Sequence, residues 1–311
     1  MSDSDDSSAS RIAARNRFLA ACSLAGAATT AHQSVRGATS AEDPCWIDIA
    51  RLGSPDAPNV LILCCGMNGI EGYCGSTILT EWLSQGMQRQ VPRDVGLVMI
   101  HTILPAALTI GGVAAPEKTP IRSWSDNVLS AAARRFASYA ARTGLKTPNA
   151  IADDDVSETE TAWMREASDT VATEVVEHAS RVSIIEFHTG LRPEGEVALS
   201  SCHPAGTEAD LRIRSWFGDE TGTQNDGPAI LDIFALGLGE RFADLALTAA
   251  HVEFGTYTMR RILDLDARGS AAERRADMRG LFSPDSEPWR KNVSAEGTRI
   301  IGMALENLAA S

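Results

Sequence analysis

The chain is short of positive charge. It has 28 Lys+Arg against 41 Asp+Glu in 311 residues, a net charge of −13, and no basic block. Nucleic acid and anionic membrane surfaces both need clustered Lys/Arg, so neither is an expected partner. Aromatic residues make up only 5%, and Gly and Pro stay at ordinary levels, which excludes collagen-like and low-complexity classes. No apolar run approaches the ~18 residues of a membrane-spanning helix. None of the six cysteines (Cys22, Cys45, Cys64, Cys65, Cys74, Cys202) falls in a CxxC pair, so a zinc ribbon or a thioredoxin-type site has no support. They read as buried thiols of a reducing compartment, which makes the expected location cytoplasmic.

What is present is enough apolar residue for a large core. At 44% hydrophobic, a chain of this length buries roughly three quarters of its unfolded surface without disulfides or metal. Short apolar runs at 46–52, 59–65, 95–102, 182–187, 197–202, 229–234 and 249–254 read as buried strands. Helical patterns lie between and after them, at 76–84 (with Gly86 as C-terminal cap), 127–142, 157–179, 207–216, 257–267 and 293–310. Such alternation predicts an α/β fold of three layers, α/β/α, with a mixed, mostly parallel central sheet. The loosest stretch, 111–125, reads as an ordered surface loop. The expected organisation is therefore a disordered acidic leader over residues 1–10 and a single domain over 11–311. Arg11, Arg15 and Arg17 precede an apolar stretch, a layout shared by signal peptides and by amphipathic N-terminal helices. The acidic leader is unlike the basic start of the former.

In a sheet of this kind ligands bind beyond the carboxyl ends of the strands. Three segments there carry candidate chemistry. The first, Gly66-Met67-Asn68-Gly69-Ile70-Glu71-Gly72-Tyr73-Cys74-Gly75-Ser76, follows a strand and enters a helix. Its glycines imply tight backbone approach, but it lacks the Gly-Lys-Ser/Thr ending of a phosphate loop. Ser76 and Cys74 are nucleophile candidates without a GxSxG elbow or an assignable His-Asp pair. In the second, His188 ends an apolar strand before Thr189-Gly190. In the third, Val252-Glu253-Phe254-Gly255-Thr256, a Glu lies inside an apolar strand end. There burial raises its pKa toward general-base range, unless Arg260 or Arg261 pairs with it. Two Glu and one His at successive strand ends fit a hydrolytic zinc site, in which a further carboxylate takes a proton from water.

Together these segments resemble the zinc carboxypeptidase-like proteins, in the branch called domain-of-unknown-function family 2817. That branch carries Gly-x-His-Gly-x-Glu-Gly-x-x-Gly-Ser, then His-Thr-Gly-Leu, then Glu-Phe-Gly-Thr. The chain reads Gly66 to Ser76, His188-Thr189-Gly190-Leu191 and Glu253-Phe254-Gly255-Thr256 in the same order. Weaker matches are Arg17-Phe18-Leu19, His101 and Asp126-Asn127-Val128. The resemblance implies that Glu71 and His188 are zinc ligands and that Glu253 is the general base. It also implies a carboxypeptidase-type fold and hydrolysis of an amide or related bond in a small or peptidic substrate.

The chain departs from that pattern at functional positions. Asn68 occupies the place of the first zinc-binding His, and an amide oxygen is a weak zinc ligand. Leu104 stands where an Asn is expected, and Leu129-Ser130-Ala131-Ala132-Ala133 replaces an Asn-Arg pair. The expected substitutes for the missing His are His101 or Cys65, with His203 and His251 behind them. Expected substrate contacts are Arg122, Asn127, Arg134, Arg135 and Arg192. The expected function is a zinc-dependent hydrolase with a modified metal site. The alternative is an inactive relative that binds a peptide or a carboxylated metabolite without metal.

Overall fold

The computed structural model describes residues 3–34, 45–66, 72–103, 168–171, 179–190, 192–218, 221–223, 245–256, 280, 282–284 and 286–310. Eight strands form one sheet: β1 Ala28–Ser34, β2 Cys45–Leu52, β3 Asn59–Cys65, β4 Val95–His101, β5 Arg181–Gly190, β6 Val197–Ser201, β7 Gly222–Thr223 and β8 Ala246–Gly255. Their order is β1-β2-β4-β3-β5-β8-β6-β7. The central run β4-β3-β5-β8 is parallel throughout, while β1, β2 and β6 join antiparallel. The sheet is therefore mixed and mostly parallel, as the alternating pattern predicts.

The parallel strands are apolar on both faces because both faces are covered. Every residue of β3 and β4 is buried. On one face Leu61, Leu63, Leu97, Ile185 and Phe254 meet helices α1 (Asp3–Ala25), α2 (Tyr73–Ser84) and α4 (Glu287–Ala309). The other face buries Ile62, Cys64, Ile100, Ile184 and Ala249, with Val171 of the short helical stretch 168–171 against them. A fourth helix, α3 (Glu208–Phe217), opens at Thr207, whose hydroxyl accepts from the Asp210 amide.

Helix α1 runs from Asp3 to Ala25. The same helix is built into the domain. Ala14, Phe18, Ala21 and Cys22 are buried, and Arg15 grips Asp48 of β2 through two bonds of 2.6 and 2.7 Å. Strand β1, Ala-Thr-Thr-Ala-His-Gln-Ser, has no apolar alternation and escapes pattern reading; its pairing to β2 makes it a strand. Helix α2 ends at Ser84 with Gln85 as its cap, and Gly86 follows in the left-handed region with its N–H on the Leu83 carbonyl, the C-terminal stop expected from the sequence. The predicted strand 229–234, the helices 127–142 and 257–267, most of 157–179 and the loop 111–125 lie outside the described residues. Among the described residues no helix is long and apolar enough to cross a membrane. None of the six cysteines is in a disulfide, and five of them are buried.

Candidate metal centre

Strands β5 and β8 lie side by side in parallel register, with Glu186 opposite His251 and His188 opposite Glu253. Residues two apart on a strand share a face. The four side chains thus form a square of alternating carboxylate and imidazole on the face that also carries Ile184 and Ala249. Two ordinary sequence periods and one register produce the whole arrangement.

Within the square, Glu186 Oε2 lies 2.5 Å from His188 Nδ1 and 3.3 Å from His251 Nδ1. The two imidazoles meet edge-on at 5.6 Å between centroids. His188 Nε2 points the other way, 3.7 Å from Glu253 Oε2. Arg192 Nε stands 3.5 Å from the other oxygen of Glu253, with the Arg192 side chain 46% exposed. From the buried Glu186 outward the site grades through His188 to a partly exposed Glu253 and then to the half-exposed Arg192.

The electrostatics follow from that gradient. Burial pushes the Glu186 carboxyl up, but the His188 charge and the hydrogen bonds from His188 and His251 outweigh it and hold the pKa at about 2. Burial pushes His188 down; the Glu186 charge and hydrogen bond, then Glu253, outweigh it and lift the pKa to about 10. His188 sits between two carboxylates, Glu186 beside Nδ1 and Glu253 beside Nε2.

Gly190 makes room for the square. A Cβ there would stand 2.2 Å from Glu253 Cδ and 2.5 Å from its Oε2, so the carboxylate occupies the volume that any side chain at 190 would fill. The strand ends are pinned from α4 and the segment before it. Thr189 Oγ1 donates to the Phe282 carbonyl at 2.9 Å, and Trp289 Nε1 donates to the Gly255 carbonyl at 3.0 Å. The Gly-rich loop is anchored at both ends. Gly66 has φ +79°, and a Cβ on Gly72 would lie 2.4 Å from the Gly66 backbone, so the loop closes on itself only with glycine at 72.

Of the residues singled out from sequence, the structure brings together His188, Glu253 and Arg192. Asn68, Glu71, Arg122, Asn127, Arg134 and Arg135 lie outside the described residues. His101 and Cys65 are not brought to His188. The register pairs Ile100 with Cys64 and Cys64 with Glu186, so His101 and Cys65 are on the opposite face. There His101 Nε2 lies 2.8 Å from Ser76 Oγ, and its ring stacks on Phe18 at 4.7 Å. Burial, then the Glu186 charge, raises the Cys65 thiol far above its ordinary pKa, which disfavours the thiolate a metal needs. His203 is engaged elsewhere, its Nε2 accepting from the Ala249 amide. Ser76 is buried against His101, away from any open surface.

Glu186 is not among the residues singled out from sequence, and His251 stands there only as a substitute ligand behind His101 and Cys65. The signal for both is parity: each sits two residues before a singled-out residue in an apolar strand. With His188 they form a group whose ligand atoms all lie within 4.8 Å of one another. One carboxylate and two imidazoles are a donor set that zinc takes. Two buried atoms of the group, Glu186 Oε1 and His251 Nε2, have no hydrogen-bond partner among the described residues. Buried acceptors normally find partners, so these residues fit a cation.

No curated protein matches the chain. Solved structures share its outline at low identity. A metallo-carboxypeptidase from Burkholderia cenocepacia is 12% identical, over 94% of this chain and 68% of that one, with a TM-score of 0.47. The glutaminyl cyclase of Fimbriiglobus ruber is 11% identical, over 96% and 87%, also at 0.47. Likenesses at this level carry no argument about activity. The family model is a different matter, because it covers well over half of the sequence and spans all three motifs: matched over residues 8–108 and 158–296, the chain belongs to the family described as protein of unknown function DUF2817.

Proposed function

We propose that the chain is a zinc-dependent hydrolase of the carboxypeptidase-like class, cleaving an amide or related bond in a small or peptidic substrate. The observation that carries the reading is the pairing of His188 with Glu253 at 3.7 Å, at the carboxyl ends of two parallel strands and beside the metal-compatible Glu186 and His251. A bound zinc would supply Lewis acidity and lower the pKa of an attacking water.

The chain's own groups divide the remaining work. Glu253 is the proton acceptor: Oε2 faces the site, and its side chain is 19% exposed, enough to meet a water. It takes the proton of the attacking water and returns it to the leaving nitrogen. Arg192 holds the second oxygen of Glu253, which fixes the carboxylate's orientation. The exposed remainder of its guanidinium offers a fork to a substrate carboxylate or carbonyl. Buried Glu186, its Oε2 beside His188 Nδ1 and His251 Nδ1, is a further donor toward the cation. Glu71 of the loop is a further ligand in this reading, with Asn68 at the position of the missing His. Arg122, Asn127, Arg134 and Arg135 are further substrate contacts.

Asn68 also favours a second reading, a non-catalytic relative whose pocket binds a peptide or carboxylated metabolite. One experiment separates the two. Turnover of a panel of dipeptides, N-acyl amino acids and simple esters is measured with and without chelator, for the natural chain and Glu253→Gln. The hydrolase reading expects a chelator-sensitive activity that the substitution lowers by ~10²-fold or more. Undiminished activity in Glu253→Gln sinks it, and no turnover across the panel favours the binding protein.

A further inference from the structure

We infer that Glu186, His188 and His251 form a divalent-cation site, zinc its favoured occupant, in which His251 of β8 supplies the imidazole that the Gly-rich loop lacks at Asn68. The inference deepens the hydrolase reading by naming the donors, and its test reads metal binding, so the two can fail separately.

Four observations on the chain carry it. The three ligand atoms lie within 4.8 Å of one another. Tetrahedral coordination at ~2.0–2.2 Å places donors roughly 3.4 Å apart, a difference that small side-chain rotations cover. All three side chains are buried, with Glu186 at 0%, His188 at 4% and His251 at 7% exposure. Glu186 Oε1 and His251 Nε2 are left without hydrogen-bond partners among the described residues. Leaving such atoms unsatisfied costs ~1–3 kcal/mol each, so the cluster is short of a polar or ionic partner. Finally, the donors come from two paired strands whose register is fixed, so the site does not depend on the loop that carries Asn68.

A site relying on the loop loses an imidazole with Asn68. A site that draws on β8 instead keeps two imidazoles and a carboxylate, the composition that leaves one position open for water.

The experiment is a zinc and cobalt titration of chelator-stripped full-length protein, untagged. It is read by elemental analysis, by cobalt absorption and by the metal-induced rise in melting temperature. The natural chain is expected to take about one ion. His251→Ala and Glu186→Gln are expected to weaken binding by more than ~100-fold, beyond the 10–100-fold typical of supporting residues. Melting in chelator checks that both variants fold. If either does not, X-ray absorption at the zinc edge of the natural protein decides instead, two imidazoles being expected. No ion in the natural chain, full affinity in His251→Ala, or fewer than two imidazoles overturns the inference. Metal bound through two imidazoles without turnover upholds it and sinks the hydrolase reading. Chelator-sensitive turnover with metal retained in His251→Ala does the reverse.

Discussion

His101 gives the sharpest test of how burial controls charge in this fold. It ends β4 with 2% of its surface exposed, stacked on Phe18 of α1 and 2.8 Å from the Ser76 hydroxyl. Burial, with a smaller contribution from the Arg15 and Arg17 charges, lowers its pKa from 6.5 to about 4. The unfolded chain therefore takes up a proton near pH 6.5, and the folded chain resists it down to about pH 4. Between those values the unfolded state binds more protons, so stability falls as the pH falls. Above pH 6.5 the contribution is fully present, and below pH 4 it is fully lost. A gap of some 2.5 pKa units at 1.36 kcal/mol each amounts to ~3 kcal/mol. The comparison is His101→Gln, which keeps a polar side chain and cannot titrate. Urea unfolding is measured for both proteins from pH 7.5 to 4 in chelator. The stability advantage of the natural chain should shrink by ~3 kcal/mol across that range, since every other titrating group cancels in the difference. A difference that stays constant within ~0.5 kcal/mol would refute the burial argument and mean that His101 accepts a proton in place.

Four further outcomes follow from the same structure. Gly190→Ala puts a Cβ where the Glu253 carboxylate sits, 2.2 Å from Cδ. The carboxylate must retreat by about 1 Å, a displacement that costs on the order of 100-fold in turnover, and melting temperature should change far less than activity does. Arg15→Met leaves the fully buried Asp48 without its two-bond partner; with a quarter of the Arg15 side chain exposed, a loss of ~3 kcal/mol in urea unfolding is expected. Trp289→Phe removes the bond to the Gly255 carbonyl and should cost ~1–2 kcal/mol, detectable as faster hydrogen exchange at the end of β8. Leu63→Ala empties a wholly buried position of the central strand and should cost ~2–5 kcal/mol by the same unfolding assay.

The fold was legible where local pattern and tertiary environment agree. The run 59–65 reads as a strand and is one to the residue, because a central parallel strand must be apolar on both faces. The segment 182–187 was placed but clipped. The structure starts it at Arg181 and continues it through His188 and Thr189 to Gly190, residues that no hydropathy reading extends a strand across. Strand β1 was invisible for the same reason in stronger form. Nothing in Ala-Thr-Thr-Ala-His-Gln-Ser prefers a strand until β2 offers its edge.

The site shows the same division more sharply. His188 and Glu253 were legible because each interrupts an apolar run with a group that is costly to bury. Their neighbours Glu186 and His251 break the same runs two residues earlier, and parity alone puts each pair on one face. Pairing across the sheet is another matter, for no local signal says that β5 lies against β8, or that the register sets Glu186 against His251 and His188 against Glu253. A shift of one residue would turn one pair to the opposite face and dissolve the square. The loss at Asn68 is a change in sequence that pattern reading sees at once. The donor that His251 offers to the proposed site lies on a strand 183 positions further on, and it becomes visible only when the register of two parallel strands is known.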